Sequence, residues 1–251
     1  LPPALADAVE ARVSTQPLRA LADAAAALSR RYRDASVAPL PSPSRADVDA
    51  YLTVRLPATF AAVAAALAEA AVTLPAFEPA TVLDAGAGPG TGAWAAVTEW
   101  PAVGSVTLLE RAGEFVAAGR ELAAGAPGEA LPDATWLDAD LRSSAVALGT
   151  ADLVLAAYVL VELDPAQRCA ALQRLWAATT GVLVVVEPGT PAAATGLLAL
   201  RRQLVDDGAQ IVAPCPHDGP CPYEQVGETH GSAVPRGAPG WCHSSVRIAR
   251  S

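Results

Sequence analysis

Helical spacing of apolar residues governs the start of this chain, and short apolar runs alternating with amphipathic stretches govern its middle. Leu5, Val9, Val13, Leu18, Leu21, Leu28 and Tyr32 recur at mostly helical intervals, which predicts two helices across residues 1–38, broken near Pro17. Pro39, Pro41 and Pro43 form a linker. A third helix is predicted over Asp47–Leu56, and Pro57 opens a fourth that runs through Thr59, Phe60, Val63 and Leu67 to about Val72. From Thr81 the period changes. Thr81–Asp84, Ser105–Glu110, Ala134–Leu137, Ala151–Ala156 and Gly181–Glu187 are predicted strands. Helical stretches fall between them at Gly90–Glu99, Gly113–Gly125, Ser143–Leu148 and Pro165–Thr179, so the fold class expected is α/β with a doubly wound, mainly parallel sheet. Leu197–Asp207 adds a helix and Ala209–Ala213 a short strand. After Pro214 the composition turns to Pro, Gly, Cys and His, with Gly227–Gly240 expected to be a flexible insertion. The chain thus divides into a helical region (1–78), a sheet domain (79–213) and a Cys/His-rich module (214–251).

With 52% apolar residues in 251, the chain has ample material for a buried interior. Its net charge of −9 argues against a surface that grips nucleic acid everywhere, since neutralising phosphates requires clustered cations. Local patches remain: Arg12, Arg19, Arg30, Arg31, Arg33, Arg45 and Arg55 crowd the helical region, and Arg236, Arg247 and Arg250 lie close to the last cysteine. The ordinary reading of such runs is solvated helix faces. Four unevenly spaced cysteines are too few for a secreted disulfide scaffold and fit a reducing compartment. The N-terminus has no export pattern, and charged residues interrupt every apolar stretch before it reaches ~20 residues, so neither secretion nor membrane spanning is expected.

The first candidate for chemistry is Asp84-Ala85-Gly86-Ala87-Gly88-Pro89-Gly90-Thr91, where an apolar strand runs into a glycine-rich turn at a helix start. Glycines at every second position, with Asp84 ahead of them, depart from the dinucleotide fingerprint. The pattern resembles the first motif of class I S-adenosylmethionine-dependent methyltransferases. That resemblance implies that Gly86, Gly88 and Gly90 pack under the methionine part of the cofactor. It also implies that the acid ending the second strand, Glu110, 24 residues after Gly86, binds the ribose hydroxyls. Asp138 or Asp140, after the third strand, would face the adenine. The end of the fourth strand, Leu155–Leu163, lacks the Asn/Asp-Pro-Pro-aromatic element with which amino-group methyltransferases hold their acceptor. Tyr158 and Glu162 are candidates to line a pocket, although a tyrosine followed by apolar residues is more often core. Cofactor binding therefore has better support than catalysis, and no catalytic residue is assigned.

The second candidate is the cysteine cluster. Five Pro/Gly-rich residues separate Cys215 from Cys221, and Cys242 follows after twenty more, which is not the spacing of a zinc ribbon. Three thiolates and a fourth ligand suit either zinc or an iron–sulfur cluster. All three histidines, His217, His230 and His243, lie in this region. Cys169, in the amphipathic stretch Pro165–Thr179, is expected to be a buried helix residue.

Taken in order, the glycine turn, Glu187-Pro188-Gly189-Thr190-Pro191, Ala213-Pro214-Cys215-Pro216-His217, Cys221-Pro222 and Trp241-Cys242-His243 resemble the methyltransferase-like proteins associated with the mitochondrial ribosomal small subunit and their bacterial relatives. Arg55–Val63 looks like their helical signature before the sheet. The resemblance implies a class I methyltransferase fold that binds or once bound S-adenosylmethionine, and a four-iron–four-sulfur cluster on Cys215, Cys221 and Cys242. The family's fourth cysteine lies beyond Ser251, so either this chain stops early or His217 or His243 takes its place. Two departures from the family's pattern are Glu224–Pro239, which lengthens the gap before Cys242, and Ser244, where an aromatic usually follows Cys-His. The partner implied is the small ribosomal subunit and its RNA, in the cytoplasm for a bacterial protein and the mitochondrial matrix for eukaryotic relatives. The competing readings are an active methyltransferase on RNA or protein, and a small-molecule methyltransferase with a structural zinc.

Overall fold

A computed structural model describes residues 1–34, 42–222, 242 and 244–248. Five strands form one parallel sheet: β1 (Thr81–Ala85), β2 (Ser105–Glu110), β3 (Thr135–Asp138), β4 (Ala151–Ala157) and β5 (Thr179–Val186), in the order β3-β2-β1-β4-β5. The order reverses between β1 and its neighbours β2 and β4, which makes the carboxyl end of β1 the switch point where such sheets hold ligands. The helices are α1 (Pro3–Val13), α2 (Leu18–Asp34), α3 (Arg45–Val54), α4 (Leu56–Thr73), α5 (Thr91–Glu99), α6 (Gly113–Ala123), α7 (Pro165–Ala178) and α8 (Pro191–Asp206). The doubly wound α/β architecture and all five long strand predictions are borne out to within a few residues.

Both faces of the sheet are covered, so its strands are apolar on both sides. One face carries Val82, Val106, Leu108, Leu153 and Leu155 against helices α1 and α3 to α6. The other carries Leu83, Ala85, Leu109, Val154 and Ala156 against Leu172, Leu175 and Leu200 of α7 and α8. The helical region that precedes the sheet has no separate core: Leu5, Val48, Leu52, Leu56, Val63 and Leu67 lie in the same cluster as the strand residues. Helix α4, with a mean hydropathy of 1.6 over 18 residues, is long and apolar enough to cross a membrane. Here its stripe of Leu56, Phe60, Val63, Leu67 and Ala70 is buried.

Two features lock the helical layer in place. Arg12 of α1 is buried and donates to Asp49 of α3 at 2.7 Å, and its other nitrogen pairs with Glu121 of α6. Helix α6 in turn sits tightly on β3, because a Cβ at Gly119 would come within 2.3 Å of the Trp136 ring.

Two predicted elements do not form. Ser143–Leu148 makes turns instead of a helix: Arg174 of α7 donates to the carbonyls of Leu141 and Val146, both at 2.7 Å, and so takes acceptors from any local ladder. Ala209–Ala213 is no strand, since Ala209 N–H returns to Leu204 O and Ile211 N–H is taken by the Asp218 carboxylate at 2.8 Å. Gly227–Gly240 lies outside the described residues.

Arg12→Ala would remove the buried cation of Asp49, itself 2% exposed, and leave it only Gln16 Nε2 at 3.4 Å and the exposed Arg45 at 4.0 Å, a break of a buried pair that typically costs about 3–5 kcal/mol. Urea denaturation should show that loss in a single transition shared by helix and sheet signals. An early transition confined to the N-terminal helices would contradict the shared core.

Candidate functional site

The turn after β1 is built from backbone. Gly86, Gly88 and Gly90 have φ of +69°, +55° and +82°, a left-handed conformation that side chains resist. The N–H groups of Gly86 and Ala87 both donate to Leu109 O, which fastens the turn to the end of β2. At Gly86 a Cβ would lie 2.3 Å from the Val159 side chain, so that position is closed by a neighbour, whereas at Gly88 nothing lies within 4 Å. The open side of the turn is thus over Gly88.

Asp84 points down from β1 and accepts from Ala93 N at 2.9 Å, in the first turn of α5. Gly92 makes room for it, because a Cβ there would come within 2.7 Å of its Oδ2. Burial pushes the Asp84 carboxyl up to about 7; the Ala93 bond opposes this and the charge of Glu110 adds to it. Glu110 stands at the lip of the turn, its Oε2 accepting from Gly88 N at 2.9 Å and its Oε1 from Ala112 N at 2.8 Å. Each oxygen keeps a further lone pair.

Asp138 is exposed at the end of β3, in register with Glu110. Asp140, two residues on, is engaged by Arg142, whose Nε lies 2.9 Å and 3.0 Å from its two oxygens. That hydrogen-bonded pairing holds its carboxyl below the usual range. The two acids that the sequence left as alternatives therefore differ: Asp138 is accessible and Asp140 is clamped. Glu110 and Asp138 together present acceptors, and an open backbone turn lies beside them. This set fits a nucleoside, which offers ribose hydroxyls and an exocyclic amine as donors.

The end of β4 closes over the turn. Tyr158 is a non-glycine residue at φ +61°, held by its N–H to Val186 O at 2.7 Å, and its hydroxyl pKa is raised by burial and by the charge of Glu187. The strained backbone delivers Val159 onto Gly86. The next residues form a 3₁₀ turn, Leu160–Glu162. Glu162 is raised by burial, with Arg111 and Arg142 opposing and Glu110 adding. Glu187 is pushed up to about 7 by burial, although the amides of Val161 and Leu160 and the charge of Arg168 draw it down. Its Oε1 accepts from Val161 N at 3.2 Å, and its Oε2 is buried without a partner. A cavity of about 10 Å³, room for one water, is lined by Leu160, Val161, Arg168 and Glu187. Glu187 thus faces the 3₁₀ turn and α7.

One residue of this site had no signal in the sequence. Tyr51 of α3 sets its ring edge-on to Phe115 of α6, centroids 5.1 Å apart, and burial raises its hydroxyl pKa.

Of the cysteine-cluster residues, Cys215, His217, Cys221 and Cys242 are described; Trp241, His230 and His243 lie outside the described residues. The Cys242 thiol is raised by burial and then by the charges of Cys215 and Cys221, so the chain returns Cys242 to within electrostatic reach of the other two. Among the described residues no group of three or more His, Cys, Asp or Glu is drawn together closely enough to hold a metal ion. His217 N–H donates to Cys215 O at 2.8 Å, and its own carbonyl accepts from Arg201 of α8. Cys169 is exposed on α7, contrary to the core position expected of it: Leu172 and Leu175 take the buried face of that helix.

The family described as mitochondrial small ribosomal subunit Rsm22 matches residues 45–251. The chain is 33% identical over 186 residues to the human protein named ribosome assembly protein METTL17, mitochondrial, covering 68% of this chain and 40% of that one. It is 31% identical over 159 residues to Rsm22-cox11 tandem protein 2, mitochondrial, of Schizosaccharomyces pombe, covering 57% and 21%. The chain therefore spans less than half the length of these relatives. Among solved structures, the amino pentose methyltransferase CalS10 of Micromonospora echinaspora aligns at 25% identity and a TM-score of 0.42, over 53% of this chain and 52% of that one. Streptomyces venezuelae DesVI aligns at 23% identity and a TM-score of 0.44, over 61% of each.

Asp84 and Glu187 titrate at about 7 in the fold, against about 4 for an unfolded carboxyl. Between those values the folded chain keeps protons that the unfolded chain has released, so these two groups make stability fall as pH rises from about 4 to about 7 and level off above. Asp84→Asn retains an acceptor for Ala93 N–H and removes one titration. Thermal midpoints measured from pH 5 to 8 should show a shallower fall in the variant; an unchanged slope would mean that Asp84 titrates normally.

Proposed function

Because the chain belongs to the Rsm22 family of the mitochondrial small ribosomal subunit, we propose that it is a methyltransferase-like factor that works with the small ribosomal subunit in assembly or translation. In this reading the glycine turn holds S-adenosylmethionine, and Cys215, Cys221 and Cys242 carry an iron–sulfur cluster. The observation that carries the cofactor assignment is Glu110, fixed at the lip of the turn by Gly88 N–H and Ala112 N–H with lone pairs to spare. Gly86, Gly88 and Gly90 underlie the methionine part, Glu110 takes the ribose hydroxyls, and Asp138 faces the adenine. Asp140 is a weaker candidate because Arg142 occupies it. When bound, S-adenosylmethionine supplies an activated methyl group.

Holding the cofactor is better supported than transferring its methyl. Val159 fills the space beside Gly86, and Glu187 is turned under the 3₁₀ turn, which leaves Tyr158 and Glu162 as the polar side chains at the end of β4, with no amide clamp among residues 155–163. Support for the ribosomal role comes from the human relative, named for ribosome assembly. For the cluster, support comes from the family resemblance and from the affinity of thiolates for iron and zinc, with His217, His243 or a residue outside this chain as fourth ligand. Zinc is the alternative metal. A cluster would order a Pro/Gly-rich segment that buries little apolar area of its own.

Calorimetric titration with S-adenosylhomocysteine should give saturable binding, and Glu110→Ala should weaken it about tenfold or more, as loss of a charged hydrogen-bond acceptor does. Equal binding by the variant would remove Glu110 from the site. Iron with acid-labile sulfide after anaerobic purification would support the cluster, and Cys221→Ser should then make residues 214–222 protease-sensitive while the sheet stays folded. Zinc without sulfide would make the cysteines a structural staple.

A further inference from the structure

Resting on the cofactor reading proposed above, the geometry points to Glu187 as a positioning residue that, together with Arg168, seats the turn after β4 against the glycine turn. The two turns meet at Val159 and Gly86. A Cβ on Gly86 would come within 2.3 Å of Val159 Cγ2 and 2.6 Å of its Cβ, so no slack separates them. Gly86 is also where the glycine turn is fastened, since its N–H and that of Ala87 both donate to Leu109 O. The position of Val159 therefore limits where Gly86 can sit and how well those two bonds are made.

Val159 is carried by a short segment held from outside itself. Behind it, Tyr158 N–H donates to Val186 O at the end of β5. Ahead of it, the 3₁₀ turn Leu160–Glu162 is too short to satisfy its own backbone, and two side chains supply partners. Glu187, the residue after β5, accepts from Val161 N at 3.2 Å. Arg168 of α7 donates from Nε to Leu160 O at 2.9 Å and from Nη2 to Leu163 O at 3.0 Å. The anion takes an amide and the cation takes carbonyls, so each grips the turn by a charge-assisted bond. Arg168 is itself lodged against α8, where a Cβ at Gly196 would come within 2.4 Å of its Nη1. Glu187 Oε2 is buried without a hydrogen bond and shares the lining of the small cavity with Arg168, so Oε1 is the oxygen that acts on the turn. Releasing Val161 N–H loosens the turn, and with it Val159 against Gly86.

Glu187→Ala removes the acceptor for Val161 N–H, Glu187→Gln keeps an oxygen in its place, and Val159→Ala removes the contact with Gly86. S-adenosylhomocysteine is titrated into the wild-type chain, each variant and the Glu187→Ala, Val159→Ala double variant, and amide exchange is followed in the ligand-free proteins. Glu187→Ala should speed exchange at Val161 and, beyond it, at Gly86 and Ala87, and should weaken binding about 5- to 10-fold, the scale of one hydrogen bond. Glu187→Gln should restore both. The double variant should bind no more weakly than the worse single one, since both cut the same line of contacts. Arg168→Gln gives up the double grip on Leu160 O and Leu163 O; it should repeat the faster exchange at Gly86 and Ala87, and it replaces Glu187→Ala if that variant does not fold. Faster exchange at Val161 with none at Gly86 and Ala87 would overturn the proposal, as would fully additive losses or a Gln variant as weak as the Ala one. If the wild-type chain binds no S-adenosylhomocysteine, the cofactor reading fails by itself. Exchange at Gly86 and Ala87 then decides the positioning role: faster exchange in Glu187→Ala upholds it and unchanged exchange overturns it.

Discussion

Helix α5 begins at a residue that cannot cap it. Gly90, left-handed at the N-cap, has no side chain to offer the first-turn amides, and the same absence makes the turn open to a ligand. Asp84 resolves the conflict from inside the sheet by accepting from Ala93 N–H. Much follows from that substitution of a strand carboxyl for a cap. Gly92 must lack a side chain to admit it, the carboxyl must be buried, and a buried carboxyl at the start of a helix is drawn both ways: the helix amides favour its charge and the apolar interior opposes it. Burial outweighs the Ala93 bond, the Glu110 charge adds to it, and the carboxyl is pushed up to about 7.

The carboxyl edge of the sheet repeats this tension. Asp84, Glu110, Glu162 and Glu187 all lie there, and each finds a different settlement. Glu110 takes two backbone amides, Asp84 takes one, Glu162 faces the cations of Arg111 and Arg142, and Glu187 shares the space under the 3₁₀ turn with Arg168. An acidic chain can afford such an edge because the acceptors are held by amides and arginines of its own loops. The edge then offers acceptors outward at Glu110 and Asp138, and apolar cover at Val159.

The strands and most helices were legible because their apolar periods and Pro/Gly punctuation act over a few residues. So was the pairing of Gly86, Gly88 and Gly90 with Glu110, since a strand–turn–helix–strand unit sets that spacing. What stayed hidden depended on partners far along the chain. Arg174 decides against a helix at Ser143–Leu148, Asp218 takes Ile211 N–H, and Tyr51 meets Phe115 through a helical layer with no local signature. Cys169 illustrates a different limit: amphipathic spacing identifies a helix, but Leu172 and Leu175 settle which of its faces turns inward. The choice between Asp138 and Asp140 needed only Arg142, two residues away, yet its direction is a matter of rotamer and cannot be read from spacing.

The close seating of α6 on Trp136 gives the molecule a particular genetic vulnerability. Gly119 also lies against the glycine turn, since a Cβ there would come within 3.1 Å of Pro89 O, and it sits on the helix that carries Phe115 against Tyr51 and Glu121 against Arg12. Any side chain there would lever the whole helix outward. An allele at this codon would look pleiotropic, impairing the turn and the helical layer together, and a map of missense lesions would place a hot spot on a helix that supplies no acceptor to the candidate site.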